Sequence, residues 1–252
     1  MPNLPTHIYF ALNAMDDLHV NFLNANVEAF MLGSTSPDIR ALTKKNRSLY
    51  HFVELDFESV GDGISNLKSQ YPKWKDLSSC SEETKAFMIG YASHLVLDET
   101  YITSVFRPYF KDHAIFPVIF ERRIWDRAFQ LSLDMKYWTD QVKYKSNLLK
   151  DYKVEIDVDF LIDEPINEWK DLMFRLISDS VFNWERLISM SKRIARRDNL
   201  DEAELLKSVD KFLVNPQKGI DNILSKLPNN LLSDFEEKSN QNIVSIVNRF
   251  IK

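Results

Sequence analysis

Hydrophobic residues recur every three or four positions along most of the chain, which is the spacing of one face of an α-helix. The longest such segment spans residues 87–106, where Phe87, Tyr91, Tyr101 and Val105 fall on a single face. Strand-like alternation bounded by turn residues is rare, and glycine is scarce at five residues. The pattern therefore predicts an all-α protein.

Local signals predict where several helices begin and end. Ser79–Glu82 resembles a capping box that opens a helix running through Val105, and Arg107–Pro108 is expected to end it. Gly90 lies inside this helix, where its cost of about 1 kcal/mol relative to alanine indicates close contact with a neighbour. Thr6 is expected to cap a helix near the N-terminus.

The second half of the chain continues the helical pattern. A helix is predicted from Pro117 to Trp138, followed by a connector at residues 151–164 and one long amphipathic helix at residues 168–197. We expect two regions, a helical domain at residues 1–150 and a helical region packed on it at residues 151–252. The core stripe of the 117–138 helix is expected to contain Phe120, Ile124, Ala128, Leu131 and Met135, and further helices are expected near residues 200–213, 217–227 and 231–250.

His94 and Asp98 are the most informative polar pair in the chain. They are spaced i, i+4, so both side chains leave the same face of the predicted helix, in the middle of its apolar stripe. A charge there is costly unless something pairs with it. A metal ion bound by both side chains and a buried hydrogen bond between them are equally good explanations of this pair alone.

Two more histidines and a further carboxylate favour the metal. His7 lies in the apolar segment PTHIYFALNAM, and His51 lies in LYHFVELDFE. Between them, Gly33 and Pro37 mark a turn that presents Asp38. Together with the helical pair, these residues make three histidines and two carboxylates within the first hundred residues. That set is typical of a nitrogen–oxygen site for zinc or a related divalent ion.

The ordered segments THIYFALN, FMLGSTSPD, YHFVE and GYASHLVLDETY resemble the zinc-dependent phospholipase C family, whose wider clan includes the S1/P1-type zinc nucleases. The resemblance covers roughly residues 1 to 138, a typical domain length. It implies a multi-helix bundle of that type with a helical C-terminal extension. It also implies one zinc ion shared by Asp38, His51, His94 and Asp98, and a second ion bound by His7 and bridged by Asp98.

The chain departs from the family pattern after the central helix. Secreted members complete a three-metal cluster with two further histidines and a glutamate, the last two at H-x-x-x-E spacing. Here the only later histidine is His113, which no such motif follows, so His113 and Glu121 are at most partial substitutes. Secreted members also use their mature N-terminus as a ligand, and removal of Met1 would expose the amine of Pro2 five residues before His7.

Composition limits the classes of partner and compartment. The net charge of −5 gives no global attraction to nucleic acid or to an anionic membrane, and no nucleic-acid partner is expected. No apolar run approaches the roughly eighteen residues of a membrane helix. Cys80 is the only cysteine, and the first residues do not have the pattern of a signal peptide. These features predict a cytoplasmic protein.

Three functions remain open from the sequence. The first is a metal-dependent phosphoesterase that cleaves a small phosphoester or a phospholipid, with Asp38 as both a ligand and the candidate general base. The second is a nuclease or nucleotidase of the same clan. The third is a non-catalytic protein with a structural or vestigial metal, favoured by the incomplete third ligand set.

Overall fold

The computed structural model describes residues 2–111, 113–178 and 183–251, and these contain helices and no strand. Fourteen α-helices follow one another in this described part of the chain. They are α1 Leu4–Leu18, α2 Phe22–Ala25, α3 Val27–Gly33, α4 Arg40–Thr43, α5 Ser48–His51, α6 Asp62–Gln70, α7 Glu82–Tyr101, α8 Ile119–Tyr137, α9 Asp140–Asn147, α10 Ile166–Ser178, α11 Arg186–Asp198, α12 Glu202–Leu213, α13 Pro216–Leu224 and α14 Leu231–Ile251. The prediction of an all-α protein is confirmed.

Helix α7 forms the centre of the bundle. Every residue from Ala86 to Tyr101 is buried, because α3, α14 and α1 pack on different sides of the helix. The predicted apolar stripe is buried, and the remaining faces are buried as well. A helix that is covered all round must be largely apolar all round, which explains the hydrophobic runs Phe87–Ile89 and Leu95–Leu97.

Both predicted ends of the central helix were wrong. The helix begins two residues later than expected, because the hydroxyl of Ser81 accepts the hydrogen bond from the backbone N–H of Thr84. At the other end the chain continues as a π-helix, Ile102–Lys111, that includes Pro108. The wider π-turn displaces the preceding carbonyls with which a proline ring would clash in an α-helix.

The π-helix also anchors the loop that follows α5. The guanidinium of Arg107 donates hydrogen bonds to the backbone carbonyls of Leu55 and Phe57, at 2.8 and 2.6 Å, and lies 4.4 Å from the centre of the Phe57 ring. The residue expected to end the central helix therefore connects it to a neighbouring segment.

Two glycines bring α3 and α7 into backbone contact. A Cβ atom added to Gly90 would lie 2.0 Å from the carbonyl oxygen of Phe30, and one added to Gly33 would lie 2.0 Å from the carbonyl oxygen of Phe87. The expectation that Gly90 marks a close approach is thus confirmed. The contact sets the position of the residue after α3, Ser34, relative to the next turn of α7.

Helix α8 matches its predicted span within two residues, but its buried face is rotated. Ile124, Ala128 and Leu131 are buried as expected, whereas Met135 is 46% exposed. Phe120 is only partly buried. The buried face instead continues through Phe129, Leu133, Asp134 and Tyr137, because α1 packs on the C-terminal half of the helix.

The predicted single helix at residues 168–197 is two helices, α10 and α11. Residues 179–182 of that prediction lie outside the described residues. Asn183 accepts a hydrogen bond from the backbone N–H of Glu185, a local turn that competes with helix continuation. The predicted connector at residues 151–164 is largely irregular, and α12 to α14 follow close to their predicted positions.

Residues on both sides of the predicted boundary at residue 150 belong to one hydrophobic core. Trp169 and Met173 of α10, for example, hydrogen-bond with the hydroxyl of Thr35. The division into residues 1–150 and 151–252 stays a prediction. Among the described residues, no helix is both long enough and apolar enough to cross a membrane.

We predict that Gly90→Ala destabilises the protein, although alanine is the better helix former. The added methyl group would press on the backbone of α3, and overpacking of this kind costs about 1–3 kcal/mol. Urea unfolding measures the change. Ser189→Ala, at an exposed position of α11, is the control and should be near neutral. Equal stability of the two variants would contradict the close contact.

Candidate metal centre

The side chains of His94 and Asp98 point from one face of α7 into the core, each about 1% exposed. Three other elements surround this face. His7 comes from α1, with Nε2 3.4 Å from Oδ1 of Asp98. His51 comes from the last residue of α5, with Nε2 3.1 Å from Oδ2 of Asp98. Asp98 therefore presents one carboxylate oxygen to each of these histidines.

The three imidazole rings are packed against one another. The rings of His7 and His94 are stacked, with centroids 3.7 Å apart and an interplanar angle of 7°. Nε2 of His51 lies 3.3 Å from Nε2 of His94. Tyr91, one turn before His94, donates a hydrogen bond to the carbonyl of Tyr50 and so fixes the turn that carries His51.

Asp38 approaches from the solvent side. It lies in a short 3₁₀ turn, Ser36–Ile39, and its Oδ1 is 3.9 Å from Nε2 of His51. Its side chain is 25% exposed, whereas the other four are almost fully buried. The five residues singled out in the sequence thus converge. Their ligand atoms form two overlapping groups, each within 4.8 Å, namely His7, His94 and Asp98, and Asp38, His51 and His94.

The backbone at the end of α3 orients His94. Nδ1 of His94 lies 2.9 Å from the carbonyl oxygen of Ser34, and because a carbonyl only accepts, Nδ1 must carry the proton. Nε2 is then left with its lone pair facing the other site residues. A hydrogen bond of this kind to the outer nitrogen is the usual support for a metal-binding histidine.

Electrostatics favour the protonation states that metal ligands need. Burial lowers the pKa of His51 and of His94, with Arg47 adding to the effect on His51 and His7 adding to that on His94. Burial opposes the charge on Asp98, but the Arg47 guanidinium and a hydrogen bond from His51 outweigh it and hold the pKa of Asp98 well below its usual range. The centre therefore combines the neutral imidazoles of His51 and His94 with the ionised carboxylate of Asp98.

Several buried polar atoms of this centre have no hydrogen-bond partner in the described part of the chain. They are Nδ1 and Nε2 of His7, Nδ1 of His51 and Oδ1 of Asp98. Leaving such atoms unsatisfied costs about 1–3 kcal/mol each. A bound cation would satisfy Oδ1 of Asp98 and Nε2 of His7, which lie 3.4 Å apart. The residues present thus fit a zinc-type metal ion.

Arg47 is the site residue that the sequence analysis missed. It lies immediately before α5, its side chain is 6% exposed, and its guanidinium donates to Oδ2 of Asp98 at 2.9 Å. The available signal was its position four residues before His51, which places both on one side of a helical turn. Its neighbours Lys44 and Lys45 are basic, and a basic cluster of this kind is typical of a solvated surface.

The two candidate substitutes for the third ligand set lie outside both ligand groups. Glu121, in the first turn of α8, pairs with Lys211 at 2.7 Å. His113 lies in the turn after the π-helix. Among the described residues, neither joins the histidines and carboxylates around α7.

A buried carboxylate holds the helix that carries His7. Asp134 of α8 accepts hydrogen bonds from the hydroxyl of Thr6 and from the side-chain amide of Asn3, both at 2.7 Å. The prediction that Thr6 caps α1 is wrong, because the helix begins at Leu4 and the Thr6 hydroxyl binds Asp134 instead. Burial raises the pKa of Asp134 to about 6.

The fold and the site define an all-α protein with a buried nitrogen–oxygen centre of the metal-binding type. Comparison with protein families agrees, since the model described as zinc dependent phospholipase C matches residues 6–189. The chain belongs to this family. The match extends beyond residue 138, the limit expected for the resemblance, through α10 and into α11. The chain has no significant match among curated proteins or among solved structures.

We predict that Asp98→Asn loses bound metal and also destabilises the protein. The change removes the anionic ligand and breaks the buried ion pair between Asp98 and Arg47, a loss of about 3–5 kcal/mol. Zinc content after dialysis and the melting temperature measure the two effects. Asp126→Asn is the control, because Asp126 is also buried but lies outside both ligand groups. Retention of full zinc content by Asp98→Asn would contradict a ligand role.

We predict that Asp134 makes the metal-free protein less stable as the pH rises. Its folded pKa of about 6 exceeds the usual value near 3.9, so the folded state binds more protons between these values, and stability falls as pH rises through this range. The full effect is about 3 kcal/mol. Urea unfolding at pH 4 to 7, in chelator, should show a flatter profile for Asp134→Asn. Parallel profiles for the two proteins would contradict the assignment.

Proposed function

We propose that this protein is a zinc-dependent phosphodiester hydrolase of the phospholipase C type. The observation that carries the proposal is the convergence of three buried histidines and two carboxylates in two groups whose ligand atoms lie within 4.8 Å of one another. Membership of the family supports the same chemistry. The proposed ligands are His7, Asp38, His51, His94 and Asp98, for one or two ions.

Each residue has a role that follows from its position. When bound, zinc lowers the pKa of a coordinated water and polarises a phosphoryl oxygen. His94 is held by Ser34, so its free nitrogen has a fixed direction. Asp98 supplies the buried negative charge. Asp38 has the largest exposed fraction of the five, and as general base it would take a proton from the attacking water on the side that a substrate can reach.

The proposed substrates are small phosphoesters or phospholipids. The family supports a lipid substrate, and the net charge of −5 disfavours a polyanionic nucleic acid. A nuclease or nucleotidase is therefore the weaker proposal within the same clan.

One observation favours a non-catalytic alternative. The group of His7, His94 and Asp98 is almost completely buried, and a closed site without an open position is typical of a structural metal. The exposed fraction of Asp38 is what distinguishes the catalytic proposal, because it offers a route from solvent to the same histidines.

We predict slow hydrolysis of a bis-nitrophenyl phosphodiester by the zinc-loaded protein, with loss of activity in chelator and recovery on adding zinc, manganese or cobalt. His94→Ala should lower the rate by more than about 100-fold, which exceeds the usual effect of changing a residue that only supports a ligand. His19→Asn is the matched control, since His19 is exposed and asparagine tolerates its left-handed backbone conformation.

A protein that binds zinc but hydrolyses neither phosphodiesters nor phosphomonoesters across a broad pH range would favour the structural metal. Activity that is equal in His94→Ala and the wild type would overturn the proposed site.

A further inference from the structure

We propose that the centre holds a single divalent ion, and that the guanidinium of Arg47 takes the place of a second cation beside Asp98. The proposal rests on the metal site proposed above. It assigns to Arg47 a positioning role, because it acts through the Asp98 carboxylate.

The two oxygens of Asp98 have different surroundings. Oδ2 accepts from the Arg47 guanidinium at 2.9 Å and lies 3.1 Å from Nε2 of His51. Oδ1 is buried, has no hydrogen-bond partner in the described part of the chain, and lies 3.4 Å from Nε2 of His7. A carboxylate that bridges two ions needs one free oxygen for each. Here the Arg47 guanidinium occupies Oδ2, so only Oδ1 is left for an ion.

His94 also limits the number of ions that the centre can hold. Its Nδ1 donates to the Ser34 carbonyl, so only Nε2 can bind a metal ion. Both candidate ligand groups contain His94, and one imidazole nitrogen binds one ion. The group of His7, His94 and Asp98 then provides three protein ligands for one ion.

The remaining pair is poorly suited to a second ion. Without His94, only Asp38 and His51 are left, and Nε2 of His51 is already hydrogen-bonded to Asp98. Asp38 therefore stays available on the solvent side of the centre.

The charge of the centre also favours one ion over two. Asp38, Asp98 and Arg47 together carry one net negative charge, so one divalent ion leaves one net positive charge and a second ion would leave three. The three histidines and Asp98 are almost fully buried. Uncompensated charge is costly in such surroundings, because the effective dielectric constant is low. A fixed arginine charge next to the shared carboxylate thus disfavours the second ion.

The test is the number of ions bound. Wild-type protein, stripped with chelator and dialysed against zinc or cobalt, should bind one ion per chain by elemental analysis. Arg47→Met keeps most of the side-chain volume and removes the charge. This variant should bind two ions, and it should bind the first about tenfold more tightly than the wild type binds its single ion. Arg47→Lys, which keeps the charge, should bind one. Lys44→Met, which removes an exposed charge from the same segment, should match the wild type.

Thermal stability gives a readout that does not depend on activity. In chelator, Arg47→Met should melt at a lower temperature than the wild type, because Asp98 loses its counterion. Zinc should then raise the melting temperature of Arg47→Met by more than it raises that of the wild type.

The outcomes separate this proposal from the proposed function. Two or more ions in the wild type, or exchange coupling between two cobalt ions bound to it, would overturn the role of Arg47 and leave the metal-dependent function standing. A single ion of unchanged affinity in Arg47→Met would also overturn it. Failure of every variant to bind zinc or cobalt would overturn both. The wild-type measurements decide the question even if Arg47→Met does not fold.

Discussion

The carboxylate of Asp98 carries a charge in the middle of a helix that is covered on every side. Keeping such a charge away from water costs several kcal/mol unless partners are provided. The elements around α7 provide them, since α1 brings His7 while the residues at the two ends of α5 bring Arg47 and His51. The site is therefore also a condition for the stability of the core.

Much of this arrangement could be predicted from the sequence, because it depends on local periodicity. The i, i+4 spacing of His94 and Asp98 puts both on one face of α7 whatever surrounds the helix. Gly90 likewise signals a close contact, although which helix makes that contact is a tertiary property. Asp38 and His51 could be grouped with the helical pair through the family resemblance, and the structure brings them together.

The features that could not be predicted depend on contacts between distant segments. Arg47 looks like part of a basic surface until Asp98 is placed beside it, 51 positions away in sequence. Pro108 normally ends a helix, but a π-turn accommodates it and Arg107 is held by a loop. Thr6 is a good capping residue, yet its hydroxyl finds a stronger partner in the buried Asp134, and nothing near Thr6 in the sequence reveals this.

The attachment of α1 has a consequence for the order in which the site forms during folding. α1 packs on α7, α8 and α14, and the last two lie more than a hundred residues after it in the sequence. Asp134, which holds Asn3 and Thr6, belongs to α8. His7 therefore depends on contacts of long sequence separation for its place beside His94 and Asp98. Such contacts carry a large loop-closure cost and form slowly, so the ligand group is completed late in folding.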